Sequence, residues 1–487
     1  MDPIEFHEKT KHTTRSVRTG GHFLDWSNKP DPFKSYTDIP PVALPEPAGD
    51  TGSPAAPAIV GEPASEPRSM DSGELSRLLT LGGGVIREKV YPGGERFYFR
   101  TYACAGALYP IEIYVACGGM PELDAGLYHF HPLERSLRRI RPGDPRPYLA
   151  RACGHPSAPG RALVSLILSG IPWRTTWKYG PRGYRHLYWD SGMIVANLLA
   201  LAASAGHRPE VVARFADREL NSLLGFDGST EMALGIVALD ALEDEHIPPA
   251  PEPAAAIHHR VARLSRREER YPELIAVHEA TSIDSAEELH RGSAGPSEGR
   301  GGNDSELCPA GIEEVIRRRG SSRAFKRASI PGEQLTGVLR NAFARPLGDW
   351  PPGLTSLSLL VHSAEGFAPG AYRLRERGPE LLFEGDVREE GAHLCLEQPL
   401  GGEGAATCFL SADLRSAGEA WGPRSYRAAQ LEAGIRAGKI YLGAYACGFG
   451  ATGLTFFDDE VRRFFDTRGE PMLAVALGRP DGTRRLL

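Results

Sequence analysis

The sequence contains no C-x-x-C pair, no long uninterrupted apolar run and no excess of basic charge. Its seven cysteines, at 104, 117, 153, 308, 395, 408 and 447, are odd in number and scattered, which argues against a cysteine metal site or a disulfide framework. They are expected to be free thiols in a reducing compartment. The longest apolar stretch, Met193 to Gly206, is broken by Asn197 and Ser204. It is too short to span a bilayer and reads as a buried helix. Met1 to Glu8 is charged from the start and lacks an apolar core, so no secretory signal is read there. A formal net charge of −6 leaves no basic face for nucleic acid and no attraction to a membrane. His129-Phe130-His131 alternates in the manner of metal ligands, but no acidic or third histidine partner stands at a diagnostic spacing, so no metal is expected. The expectation is a cytoplasmic protein with neither nucleic-acid nor membrane partner.

At 487 residues, 41% hydrophobic and 24% charged, the chain is long enough for two or three ordinary globular domains. Two stretches read as linkers. Residues 40–72 are rich in Pro, Ala and Gly and show no strand or helix period, and residues 247–308 run from PPAPEPAAA to GSAGPSEGRGGNDSEL with room for a short helix near Leu274 to Ala280. The chain is therefore divided into an N-terminal segment 1–39, a linker 40–72, a first domain 73–246, a linker 247–308 and a second domain 309–487.

The two domains share landmarks in the same order. Tyr179-Gly180-Pro181-Arg182-Gly183-Tyr184-Arg185 matches Trp421-Gly422-Pro423-Arg424-Ser425-Tyr426-Arg427, and each precedes a long Ala/Leu-rich helical stretch. Strand-like runs precede them at Ala162 to Leu168 and Ala406 to Leu410, with Gly126-Leu127-Tyr128 and Gly370-Ala371-Tyr372 further upstream. Three matched landmarks indicate an internal repeat. The pattern predicts an α+β fold, two helix-covered, antiparallel-rich sheets fused as an intramolecular pseudo-dimer.

Several segments carry chemistry. Arg317-Arg318-Arg319-Gly320-Ser321-Ser322-Arg323 ends a helical stretch with clustered cations and hydroxyls, a donor set that grips phosphate or that merely solvates a basic helix end. Cys447-Gly448-Phe449-Gly450-Ala451-Thr452-Gly453-Leu454 reads as a Gly-rich turn whose backbone can approach a ligand. The chain closes on the basic pair Arg484-Arg485. In the first domain, Arg100-Thr101-Tyr102-Ala103-Cys104-Ala105-Gly106-Ala107-Leu108-Tyr109-Pro110 leads into a strand, and its small residues permit close packing on a flat ligand. Trp177-Lys178-Tyr179-Gly180 pairs an amine with a phenol, and partial desolvation tunes such groups for proton transfer.

In combination these segments resemble the nitroreductase-like flavoproteins, and among them the SagB-type dehydrogenases that include azoline oxidases of thiazole- and oxazole-modified peptides. Arg319 to Arg323 is similar to that family's phosphate motif R-x-S-x-R, and Gly450, Ala451, Thr452, Gly453 and Leu454 to its loop beside the isoalloxazine ring. Arg484 and Arg485 stand where its late basic residues reach phosphate. The run from Arg100 to Pro110 is similar to R-x-x-P-S-A-G-A-L-Y-P, with Ala103 and Cys104 in place of proline and serine. Lys178-Tyr179 is similar to the pair tied to dehydrogenation.

The resemblance implies a flavin mononucleotide (FMN) cofactor held by Arg100, Cys104, Ala105, Gly106, Arg319, Ser321, Ser322, Arg323, the 450–454 segment, Arg484 and Arg485. It implies Lys178 and Tyr179 as catalytic residues, with Tyr179 the base and Lys178 assisting, and a substrate pocket at Tyr109, Trp177, Arg182 and Tyr184. The second copy reads Ala420-Trp421 where the first has Lys-Tyr, and the first has only Arg15-Ser16-Val17-Arg18 as a phosphate motif. The deficiencies are complementary, so one FMN site per chain is expected, between the two domains. The implied activity is azoline-to-azole type dehydrogenation of a small or peptide-borne substrate, with other biosynthetic enzymes as candidate partners. An NAD(P)H-dependent nitro or quinone reductase and a non-catalytic FMN-storage protein stand as alternatives.

Overall fold

The computed structural model describes residues 1–20, 23–65, 68–154, 157–242, 247–289, 308–344 and 348–482. Its strands are β1 (Pro41–Ala43), β2 (Val85–Val90), β3 (Arg96–Arg100), β4 (Ile111–Cys117), β5 (Gly126–His131), β6 (Ser136–Pro142), β7 (Val164–Gly170), β8 (Pro209–Val212) and β9 (Met232–Leu239) in the first half. The second half contributes β10 (Ser356–Val361), β11 (Gly370–Arg375), β12 (Gly378–Glu384), β13 (Ala406–Ala412), β14 (Gly450–Leu454) and β15 (Glu470–Gly478). One sheet runs β1-β6-β5-β4-β7-β9-β8 and the other β12-β11-β10-β13-β15-β14, while β2 and β3 form a separate hairpin. Apart from β1 at one edge, the two orders correspond strand for strand, and the strand pairings within them are antiparallel. The α+β class and the pair of like halves are as the sequence predicts.

Strands β4, β7, β9 and β13 are buried along their whole length, which is why they read as continuous apolar runs rather than alternating ones. Each sheet is covered by a 22-residue helix, Gly183–Ser204 in the first half and Ser425–Ala446 in the second. These helices are buried nearly all round, as an unbroken apolar surface requires; within the stretch Pro172–Ser204, the 18-residue window apolar enough by composition to cross a bilayer is entirely buried.

The two long helices cross at bare backbone. A Cβ on Gly192 would lie 2.4 Å from the Ile435 amide nitrogen, and one on Gly434 would lie 2.5 Å from the Trp189 carbonyl oxygen. Beside this contact the Trp189 indole donates to Gln430 Oε1 at 2.6 Å. The core is therefore continuous across the two halves, as in a dimer whose interface has become internal.

The stretches read as linkers hold ordered structure. Within 40–72, β1 pairs with β6, and a helix Ala55–Val60 packs against both long helices with nearly every side chain buried. Six residues interrupted by Pro57 are too few to display a helical period, so the sequence conceals it. In 247–308 the helix Pro272–Ala280 forms where apolar residues cluster, and Ala262 donates its amide to Ser35 of the first half. Residues 290–307 lie outside the described residues. One cysteine expectation is corrected: Cys308 and Cys447, 139 residues apart, are joined in a disulfide with Cα atoms 4.8 Å apart, while Cys104, Cys117, Cys153, Cys395 and Cys408 are free. Scattered spacing gave no sign of this pair because only the tertiary fold brings it together.

Two reciprocal ion clusters tie the halves. Arg182 and Arg185 reach Asp458 of the second half at 3.0 and 2.9 Å, and Arg424 and Arg427 reach Asp217 of the first at 2.7 and 2.6 Å. The same helper groups complete each cluster: Arg185 also bonds Thr10 Oγ1 and the His7 carbonyl, and Arg427 bonds Thr281 Oγ1 and the His278 carbonyl. The helices Pro3–Lys9 and Pro272–Ala280 thus occupy equivalent places, each carrying a His-Glu-x-Thr run that begins at His7 or His278. Burial works to raise both carboxyl groups, but the paired guanidinium groups outweigh it and hold Asp217 and Asp458 at about 2. Removing one partner of such a buried pair strands the other charge. Asp458→Asn and Asp217→Asn are each expected to cost about 3–5 kcal/mol in urea unfolding at neutral pH. Because both carboxyl pKa values are depressed, their stabilisation is present above about pH 4 and lost as pH falls towards 2, so acid unfolding in that window should flatten in the double variant.

Candidate functional site

The R-x-S-S-R segment follows the short helix Ile312–Arg318 and runs beside β14. The Ser322 amide donates to the Ala451 carbonyl at 2.9 Å, and a Cβ on Gly450 would fall 2.1 Å from Ser322 Oγ, so only glycine admits this approach. The Gly450–Leu454 segment, expected as a turn, is instead an edge strand paired with β15; the turn lies just before it, at Gly448 with φ +75°. Tyr441, on the second-half core helix, fixes both pieces by donating or accepting at Ser321 Oγ (3.4 Å) and accepting from the Gly453 amide (2.5 Å).

Arg319 crosses to the first half. Its guanidinium is buried and donates to the carbonyls of Thr101 and Arg100, both at 3.1 Å. Arg87 of β2 comes to the same place: a Cβ on Gly320 would lie 4.0 Å from one of its guanidinium nitrogens. Arg100 is spent on structure, with its side chain donating to the carbonyls of Ile111 and Pro32.

The loop after Arg100 is held in an uncommon conformation, with φ of +64° at Gly106, +52° at Ala107 and +47° at Tyr109. Left-handed residues in such density are costly and persist where surroundings fix them. The fixing group is Asp190, on the first-half core helix. It accepts from Cys104 Sγ at 3.1 Å and from the Ala105 amide at 3.2 Å, while Cys104 Sγ accepts from the Tyr109 amide. Cys104 Sγ thus both donates and accepts. Burial raises the Asp190 carboxyl to about 7, against the pull of those two hydrogen bonds.

Lys178 and Tyr179 end the helix Pro172–Tyr179 and meet this loop. A Cβ on Gly106 would stand 3.0 Å from the Tyr179 hydroxyl and 3.3 Å from Lys178 Nζ. Burial and then the charges of Arg323 and Lys29 lower the Lys178 pKa. Burial, Cys104 and Asp190 push the Tyr179 phenol up. The ring of His186 stacks on Tyr179 at 4.3 Å and 9°; burial and nearby cations keep this imidazole neutral, and neither ring nitrogen has a hydrogen-bond partner among the described residues.

The expected residues thus divide. Lys178, Tyr179, Cys104, Ala105 and Gly106 meet in the first half, and Arg323 of the second is near enough for its charge to lower the Lys178 pKa. Arg319 ties to the Arg100 and Thr101 carbonyls the segment that holds Ser321 and Ser322 beside the strand Gly450, Ala451, Thr452, Gly453 and Leu454. Tyr109 is tied to the site rim through its hydroxyl, which accepts from the Arg100 amide. Trp177 is buried and donates to the Asp25 carbonyl. Of the residues expected to line a pocket, Arg182 pairs with Asp458 through one guanidinium nitrogen, and Tyr184 is fully buried beside Tyr188 and His278. Arg484 and Arg485 lie outside the described residues. Arg15 and Arg18 sit on an exposed helix, Thr14–Thr19. A separate cavity of about 380 Å³ beside His7, Asp413, Arg462 and Arg468 includes none of the expected residues.

Sequence reading missed Asp190, His186 and Arg87. A lone carboxylate and a lone imidazole within an otherwise apolar helix were the available signal, since such groups are rarely buried without purpose. Lys178, Arg323 and Arg87 have no carboxylate partner among the described residues. Unpaired cations at the meeting of a small-residue loop and a glycine-containing edge strand suit a flat ligand that carries phosphate.

Residues 316–479 match the nitroreductase family. A protein of Methanocaldococcus jannaschii named as a nitroreductase is 32% identical over 151 residues, 31% of this chain and 72% of that protein. The microcin B17-processing protein McbC of Escherichia coli is 26% identical over 159 residues, which span 57% of its length. A crystal structure from Anabaena variabilis, also named as a nitroreductase, superposes with a TM-score of 0.78 at 25% identity, covering 98% of this chain and 99% of its own. The chain belongs to the nitroreductase family.

Proposed function

We propose that the chain is an FMN-dependent dehydrogenase with one cofactor site, set between its two halves. The observation that carries this reading is the contact of Gly106 with Lys178 and Tyr179 on one side and the charge of Arg323 from the other half beside them. Arg319, Ser321, Ser322 and Arg323 would hold the phosphate and polar edge of FMN, with Cys104, Ala105 and Gly106 against its ring. When bound, FMN supplies the acceptor for a hydride from substrate.

The protein's own groups handle the proton. Sequence resemblance gives Tyr179 as base, but its raised pKa leaves the phenol protonated at neutral pH, so it serves better as a hydrogen-bond donor. Lys178, moved towards its neutral amine by burial, Arg323 and Lys29, is the better acceptor. The substrate proton would pass to Lys178 Nζ while Tyr179, steadied by the His186 ring, orients the substrate. Similarity to McbC supports dehydrogenation of an azoline-like ring, small or peptide-borne, in company with other biosynthetic enzymes. Five free cysteines support a reducing, cytoplasmic location, and the Cys308–Cys447 disulfide weighs against it.

Lys178→Ala is expected to keep the yellow FMN and lose turnover by roughly 10²–10⁴-fold, the usual contribution of proton transfer. Tyr179→Phe should lose less. Turnover should rise with pH as Lys178 gives up its proton, and Lys178→Arg should abolish that rise, because a guanidinium does not deprotonate in this range. Flavin-free variants, or rapid flavin reduction by NADPH with no Lys178 dependence, would contradict the assignment.

A further inference from the structure

We propose that the outer wall beside Lys178, built by Trp26, Lys29 and Phe97, binds a substrate carrying a carboxylate on a flat ring. Lys29 pairs with the carboxylate and the two aromatic side chains flank the ring. The inference rests on Lys178 and Tyr179 marking the reacting end of the site, and it names the substrate class that end receives.

Trp26 opens a short turn, Trp26–Asn28, and Lys29 follows it. The turn is fixed on both sides. The Asn28 amide group donates to the Arg267 carbonyl at 2.8 Å and accepts from the Arg267 amide at 3.0 Å. The Asp25 carbonyl accepts from the Trp177 indole at 3.1 Å, and Trp177 is the neighbour of Lys178. Lys29 is thus held against the catalytic helix rather than trailing in solvent.

The environment of Lys29 is unusual for a lysine. Its Nζ lies 4.9 Å from the Phe97 ring centroid and 5.9 Å from that of Trp26. It has no carboxylate partner among the described residues, and its charge is near enough to disfavour that of Lys178. Two neighbouring cations with no carboxylate partner cost energy that an anionic ligand would relieve. Arg87 and Lys89 of the hairpin make like contacts, with Phe99 at 4.8 Å and Tyr91 at 4.3 Å, but Lys29 is the one of the three whose charge acts on Lys178.

The rings supply the second half of the recognition. Trp26 is 66% exposed while its edge packs on Trp177 at 5.3 Å, and Phe97 is braced by Tyr91 at 5.0 Å. A large aromatic group left in water and stiffened from behind is a surface prepared for a flat apolar partner. A carboxylate answers Lys29 and the ring that bears it answers Trp26 and Phe97, so one molecule satisfies both.

The test is a titration of the FMN-loaded protein with benzoate and, in parallel, with benzamide, following flavin absorbance and tryptophan fluorescence. Benzoate is expected to bind at least tenfold more tightly than benzamide. Lys29→Ala should erase that preference and Lys29→Arg should retain it, with unchanged circular dichroism in both. Equal affinity for the two probes, or a preference that survives Lys29→Ala, would overturn the proposal. Flavin-free protein whose fluorescence still shows the Lys29-dependent preference would uphold the carboxylate site while removing the flavin reading.

Discussion

Asp217 and Asp458 each hold two arginines that come from the opposite half of the chain, and the arrangement of the candidate site follows from that exchange. Arg182 and Arg185 lie just downstream of Lys178 and Tyr179, so the cluster at Asp458 also sets where the end of the helix Pro172–Tyr179 can lie. Between the clusters, Gly192 and Gly434 bring the long helices into backbone contact, a separation that no side chain would permit. Arg319 spans the same seam to the carbonyls of Arg100 and Thr101. A site assembled from two halves needs a seam of this rigidity, because its groups are positioned only as well as the halves are.

The repeat itself was plain in the sequence. Gly-Pro-Arg-x-Tyr-Arg occurs at 180–185 and again at 422–427, and matching strand runs precede it. Its purpose was not plain. The motif reads as ligand-facing, yet its arginines join the halves, because their partners Asp217 and Asp458 lie far off in sequence within no pattern of their own. The meeting of Gly106 with Lys178 and Tyr179 was legible only through family resemblance; nothing in local spacing links residues more than seventy positions apart. Asp190 and His186 were hidden by their apolar helix, where composition speaks for burial alone. The helix Ala55–Val60 and the strand β14 were obscured by Pro and Gly, which commonly mark turns but here permit close packing.

Repetition with divergence explains the asymmetry. The first half keeps the Lys-Tyr pair and the left-handed loop braced by Asp190, and the second keeps the R-x-S-S-R segment and its edge strand. At the mirror position Ala420 and Trp421 stand in place of Lys178 and Tyr179, so the seam carries its ion cluster twice and the Lys-Tyr pair once. The electrostatics of the surviving site are consistent with proton transfer, since burial pushes Lys178 and Tyr179 in opposite directions away from their ordinary values, towards neutral amine and neutral phenol.

The most direct measurement is the flavin content of the purified protein, by absorbance against protein concentration after saturation with FMN. One FMN per chain is expected, falling towards zero when Arg319 and Arg323 are both replaced by alanine. Two FMN per chain, or one that persists without those arginines, would contradict a single site shared between unequal halves.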